Sequence, residues 1–276
     1  MKTLFSGLFV AVLLAVTIST GGAAGGYTAT SVPVTIGQGQ VWTFVTLDSS
    51  GRSEAVGVRF DEAVLDSLPA EASEYTLQFP AAATGTVFNH FAMDWNPQGH
   101  EPPGVYDAAH LDFHFYLVSP EELSLIKGGL CTSAESAGIP NPPGMVPVTC
   151  DVLAKAMRPL PVDMLPPDFQ LVPAVAPNMG NHLMDPSAPE FNGQPFTQTW
   201  IYGAYDGKIT FLEPMITKAF LQTRPDVSVP LKTPQAMPEA GWYPTQYSIR
   251  FLPDETTFAI TLEDFKWFEA SGVQKL

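Results

Sequence analysis

All five histidines of the chain fall in two windows: His90, His100, His110 and His114 within 25 residues, and His182 in "NMGNHLMDP". Imidazole is a common metal ligand and the usual acid–base group near neutral pH, so this clustering points first to a metal centre. The densest stretch is "HLDFHFY", residues 110–116. Read as a strand, it puts His110, Asp112, His114 and Tyr116 on one side and Leu111, Phe113, Phe115 and Leu117 on the other. A rise of about 3.3 Å per residue leaves the Cα atoms of His110 and His114 roughly 13 Å apart, too far to share an ion easily, whereas adjacent same-face positions are about 6.6 Å apart. A helix would bring i and i+4 within about 6 Å, but the stretch alternates, is aromatic, and is followed by a helix start at Ser119-Pro120.

An ion here must therefore draw ligands from elsewhere. His182 lies beside a glycine in an expected loop, where a side chain can be aimed inward. Glu213 ends an aromatic hairpin, where a carboxylate is costly to bury without a partner. The expected ligand set is His114 and His182, then His110 and Glu213, with Asp112 as ligand or orienter. Tyr116 and Tyr202 are the candidate catalytic residues, moving protons or orienting a substrate. The ion is a divalent metal such as zinc, manganese, iron or copper. A solvated polar strand face explains the spacing equally well. His100, in "DWNPQGHEPPGVYD", reads as a lid, an outer ligand or a loop-ordering residue, and His90 as a hydrogen-bonding partner of Asp94 two positions on.

The elements that must position these groups are mainly β. Twenty-seven prolines limit long helices, and short Val/Thr/aromatic runs alternate with turn residues. Strands are expected at 40–47, 54–60, 75–79, 86–95 and 110–119. The clearest hairpin is "FTQTWIYGAYDGKITFLEPM", with Asp206-Gly207 as a two-residue turn. Its register, counted from Tyr205 opposite Lys208, places Tyr202 against Phe211 and Trp200 against Glu213. A second hairpin joins "YSIRFL" and "TFAITL". Helices are expected in "FDEAVLDSL", "SPEELSLI", "DVLAKAM" and "TLEDFKWFEA". The fold class is an antiparallel sandwich or barrel with a few short helices, in one domain over 25–276, with a Pro-rich insertion at 141–189 that covers or lines a site.

Residues 1–24 read as an export signal: Lys2, an apolar run from Leu4 to about Ile18, then small residues, with cleavage near Ala24. The run is shorter than the ~20 apolar residues of a spanning helix, so membrane insertion after cleavage is not expected. The destination is periplasmic or extracellular. There Cys131 and Cys150 can form a bridge worth roughly 3 kcal/mol in the chain-entropy model. A net charge of −15 disfavours nucleic acid and anionic lipid as partners. No GxSxG, P-loop, GxGxxG after a strand or HExxH occurs, which removes serine-hydrolase, nucleotide-binding and zincin readings.

At "DWNPQGHEPPGVYD…HLDFHFY", "MGNHLMDP" and "YGAYDGKITFLEPMIT" the chain resembles an uncharacterised family of exported bacterial β-rich proteins, typified by a thermophile's envelope-stress-regulated, ring-forming protein. The resemblance spans roughly Val87 to Leu221. It implies that the three polar motifs belong to one architecture and that the protein is a homo-oligomer, and it brings no activity. Two functions follow as expectations. One is an exported protein with a mononuclear His/carboxylate metal site acting on a small molecule. The other is a non-catalytic envelope protein, structural or small-ligand-binding, whose histidines only hold loops.

Overall fold

The computed structural model describes residues 26–128, 148–172 and 175–272. The expected export signal, Cys131 and the first part of the Pro-rich insertion lie outside the described residues, and with them the expected Cys131–Cys150 pairing.

Alternation of apolar and polar residues sorts the strands into two antiparallel seven-stranded sheets, with no closed barrel among the described residues. The first sheet runs β1 (Tyr27–Thr30), β3 (Gly39–Leu47), β4 (Ser53–Asp61), β14 (Thr257–Phe268), β13 (Gly241–Leu252), β12 (Asp226–Pro230), with β2 (Val34–Ile36) on β3. The second runs β5 (Ser73–Gln78), β6 (His90–Asn96), β7 (His110–Tyr116), β11 (Lys208–Thr217), β10 (Gln198–Tyr205), β9 (Asn181–Met184), β8 (Gln170–Leu171).

The apolar side of each sheet meets the other. Leu111, Phe113 and Phe115 of β7 pack with Phe60, Phe258, Ile260 and Leu262 of the first sheet in one core. Phe60 stacks on Phe113 with ring centroids 6.0 Å apart, and Trp200 stacks on Tyr247 at 5.2 Å. Burying such side chains stabilises by about 1.5–3 kcal/mol each, which fixes β7 with its histidine side turned away from the core.

Helices form where the sequence expects three of them: α1 (Glu62–Asp66), α2 (Pro120–Ser124) and α3 (Cys150–Ala156), with α4 (Lys218–Gln222) added. Ser119 closes a capping box with Glu122 at the start of α2. The stretch "TLEDFKWFEA" is not a helix. Its first eight residues end β14, because β13 pairs with β14 as far as Gly241↔Phe268 and β4 pairs with it as far as Ala55↔Glu263. Two ladders of hydrogen bonds and the core outweigh its local helical preference.

The outer side of the second sheet is also covered. α2, α3 and Val175 pack on Ala92, Tyr116 and Phe211, while Tyr106, Phe196, Ile201 and Met215 form a separate apolar patch. Every residue of β7 is consequently buried, so its polar side is not a solvated face. Among the described residues no helix is long and apolar enough to cross a membrane.

Candidate metal centre

The hairpin turn is as the sequence predicts, with Asp206 and Gly207 both at positive φ and Tyr205 opposite Lys208. The register beyond it differs. A bulge between Gly203 and Ala204 slips the ladder by one, so Tyr202 faces Leu212 and Glu213 faces Ile201. A one-residue slip exchanges the faces of a strand. Trp200 and Tyr202 therefore join the core, and the Tyr202 hydroxyl donates to the Lys232 carbonyl at 3.0 Å. Tyr202 is a packing residue and not part of the site.

The pairing of β11 with β7 brings the chemistry together. Leu212↔Phe115 and Met215↔Asp112 share one register, which sets Glu213 opposite His114. Nε2 of His114 lies 3.3 Å from Oε1 of Glu213, and Nε2 of His182 lies 3.9 Å from Oε2. Ligand atoms of these three residues all fall within 4.8 Å of one another. His182 arrives on a strand, β9, and not on the expected loop, with Gly203 of β10 as its partner.

Gly203 is what lets His182 reach across β10. A Cβ there would overlap the Phe211 ring, which lies against the glycine backbone and meets His114 and His182 edge-on at 4.9 and 5.3 Å. The sequence pattern names Phe211 only as the expected partner of Tyr202 and gives Gly203 no role. The available signal was a glycine inside a strand pattern, "WIYGAY", which marks a bulge or a close approach.

His110 is not in this group. It lies with Asp112 and His100 in a second set whose ligand atoms are also within 4.8 Å of one another. Nε2 of His110 is 3.1 Å from Oδ1 of Asp112, and Nε2 of His100 is 3.3 Å from Oδ2. His110 meets its same-face neighbour Asp112 and not His114, and His100, expected as a lid, an outer ligand or a loop-ordering residue, reaches the same carboxylate. Gly99, at φ 70°, makes that fold: its position against the Tyr106 backbone leaves no room for a Cβ. Tyr116 stacks between His90 and His114, at 4.5 and 5.5 Å, beneath the α2–α3 cover.

Both sets open into a cavity of about 260 Å³ lined by Asp94, Asn96, Asp112, His114, His182 and Glu213, with Val172, Ala176, Met179 and Met184 on the side supplied by the Pro-rich insertion and β9. No Lys or Arg is among the lining residues. Burial, followed by the charges of Asp112 and its neighbours, raises the Asp94 and Glu213 carboxyls well above their usual range. Burial lowers His114 to about 4 and His182 to about 3, with nearby imidazoles adding to the effect. For Asp112 burial acts upward, but the adjacent His110 and His100 outweigh it and hold the carboxyl low. Near neutral pH the histidines of the first set are thus neutral, with lone pairs free to bind.

Three side-chain atoms of that set, Nδ1 and Nε2 of His114 and Oε2 of Glu213, are buried without a hydrogen-bond partner. Buried polar atoms are nearly always satisfied, so this arrangement can hold a cation. Nδ1 of His114 is 3.7 Å from Oδ2 of Asp94, beyond hydrogen-bond distance.

Fold and site together define a mainly β protein with His/carboxylate groups able to hold a metal ion. Residues 48–95 match the family described as TTHB210-like, hypothetical protein TTHB210. This segment runs from the β3–β4 turn through β6 and meets the 87–221 stretch of the resemblance only at Val87–Trp95. No curated protein and no solved structure matches the chain.

Proposed function

We propose that this is an exported metalloprotein in which one divalent ion sits between His114, His182 and Glu213, with an open position toward the cavity for a small molecule. The observation that carries the reading is the convergence of three donors within 4.8 Å, two of them, His114 and Glu213, buried and with orphaned atoms. Two imidazoles and a carboxylate suit zinc, manganese, iron or copper. Such an ion with a free position activates water or polarises a small oxygenated substrate, and the apolar wall of Met179, Met184 and Ile201 would hold the substrate's carbon skeleton. Asp94, 3.7 Å from Nδ1 of His114, would orient that ring by closing to hydrogen-bond distance when the ion binds.

Export rests on the N-terminal signal, and a Cys131–Cys150 bridge would form in that compartment. A homo-oligomer follows from the resemblance and is read by light scattering on the mature chain.

Elemental analysis of protein purified without a histidine tag tests the centre. Bound metal in the wild type, with one ion per chain fewer in His114→Ala and in His182→Ala, supports it. A wild type that carries no metal and gains no thermal stability from added zinc, manganese, iron or copper refutes it.

A further inference from the structure

The geometry points to a second cation site in the same cavity, formed by Nε2 of His100, Nε2 of His110 and Oδ1 of Asp112. Nδ1 of His110 is 2.7 Å from the Ala108 carbonyl oxygen, and Nδ1 of His100 is 2.7 Å from the Glu101 carbonyl oxygen. A carbonyl can only accept, so each Nδ1 carries a proton and donates it. A neutral imidazole held in this way presents a bare lone pair at Nε2, the orientation that backbone carbonyls impose on metal-ligating histidines.

Both Nε2 atoms face the Asp112 carboxylate at 3.1 and 3.3 Å. Oδ2 of Asp112 already accepts from the Asn96 amide at 2.7 Å. Its Oδ1, and Nε2 of His110, have no hydrogen-bond partner, and the two residues are only 4 % and 0 % exposed. A second proton on the His110 ring would give an N–H aimed along the 3.1 Å contact, whereas the two atoms are close without hydrogen-bond alignment. Lone pairs facing a carboxylate repel unless a positive charge lies among them. No Lys or Arg lines this cavity. A proton on Nε2 of His100 would serve Oδ2 of Asp112, 3.3 Å away, but Oδ1 of Asp112 and Nε2 of His110 still face each other unpartnered, and a small cation between them supplies the missing charge.

The donor set is again two imidazoles and one carboxylate, and it selects the same class of divalent transition metal. It shares no residue with the His114–His182–Glu213 set. Asp112 and His114 are adjacent same-face positions of β7, about 6.6 Å apart along the strand, so the two ions would flank one cavity without sharing a bridging side chain.

Full-length protein, purified without a histidine tag, stripped by chelator and dialysed against zinc or cobalt(II), is assayed for metal per chain. The expected result is two ions in the wild type and one in each of His100→Gln and His182→Gln. His100 keeps 34 % of its side chain exposed, and far-UV circular dichroism confirms that its variant is folded. Wild-type stoichiometry in His100→Gln overturns the second site, as does a single wild-type ion lost only in His182→Gln, which leaves the first site standing. One ion lost only in His100→Gln supports this site and overturns the first. A wild type that binds none overturns both.

Discussion

The outer sides of the two sheets carry the same kind of polar alternation and meet opposite fates. On the first sheet, Gln246, Ser248 and Arg250 of β13 face Glu263, Thr261 and Ala259 of β14, and the Glu263 carboxylate is met by Arg250 at 3.1 Å and by Gln246 at 3.1 Å. Charge is paired within the chain, at the edge of solvent. On the second sheet, Asp94, Asp112 and Glu213 are buried beside histidines with no Lys or Arg among the residues that line the cavity. A buried carboxylate lacking a cation costs several kcal/mol. The difference teaches that alternation alone does not tell a solvated face from a site, and that the informative feature is which positive charge, if any, the fold supplies.

The largest effect that breaks this comparison comes from Glu213→Gln. The amide keeps the shape and needs neither a buried charge nor a proton taken up on folding, so the metal-free variant is expected to melt above metal-free wild type. Zinc at 100 times its Kd stabilises wild type by about 2.7 kcal/mol and leaves the variant unmoved, a contrast that calorimetry reads directly. Equal zinc shifts in both proteins would show that Glu213 is an ordinary buried acid. Next comes Asp94→Asn. Loss of a carboxylate orienting a ligating histidine lowers metal affinity about 10–100-fold, measured by competition with a chelating dye. Gly203→Ala follows: its methyl collides with Phe211, destabilising by about 1–3 kcal/mol and weakening metal binding by displacing the ring that meets both imidazoles.

How far these residues were legible depended on how local their signals are. Alternation in "HLDFHFY" and the Asp206-Gly207 turn are short-range patterns, and the structure keeps both. The meeting of Glu213 with His114 was legible only in outline, because it requires β11 to pair with β7 across a gap of nearly a hundred residues. The Gly203 bulge moved Tyr202 from the expected site to the core. Bulges are set by what the extra residue packs against, here Phe211, and no count of positions from the turn reveals that. His100 reached Asp112 through the backbone of its loop, and a proline-rich loop gives its direction only once Gly99 and Tyr106 are seen to pack.

The smallest expected effect sharpens the comparison from the solvated side. In Glu263 burial acts to raise the carboxyl, but hydrogen bonds from Arg250 and Gln246 outweigh it and hold the group below its usual value. A carboxyl whose folded value is depressed contributes stability that is present above its unfolded value and is lost as pH falls through the folded one. Glu263→Gln should therefore cost no more than about 1 kcal/mol at pH 7 and low salt. That deficit should shrink below pH 4 and in 1 M salt, where the pair is screened. Urea melts of both proteins at pH 7 and pH 3 measure it. A deficit unchanged at pH 3 would mean that Glu263 acts through packing, and that the first sheet does not depend on the Arg250 charge on its outer side.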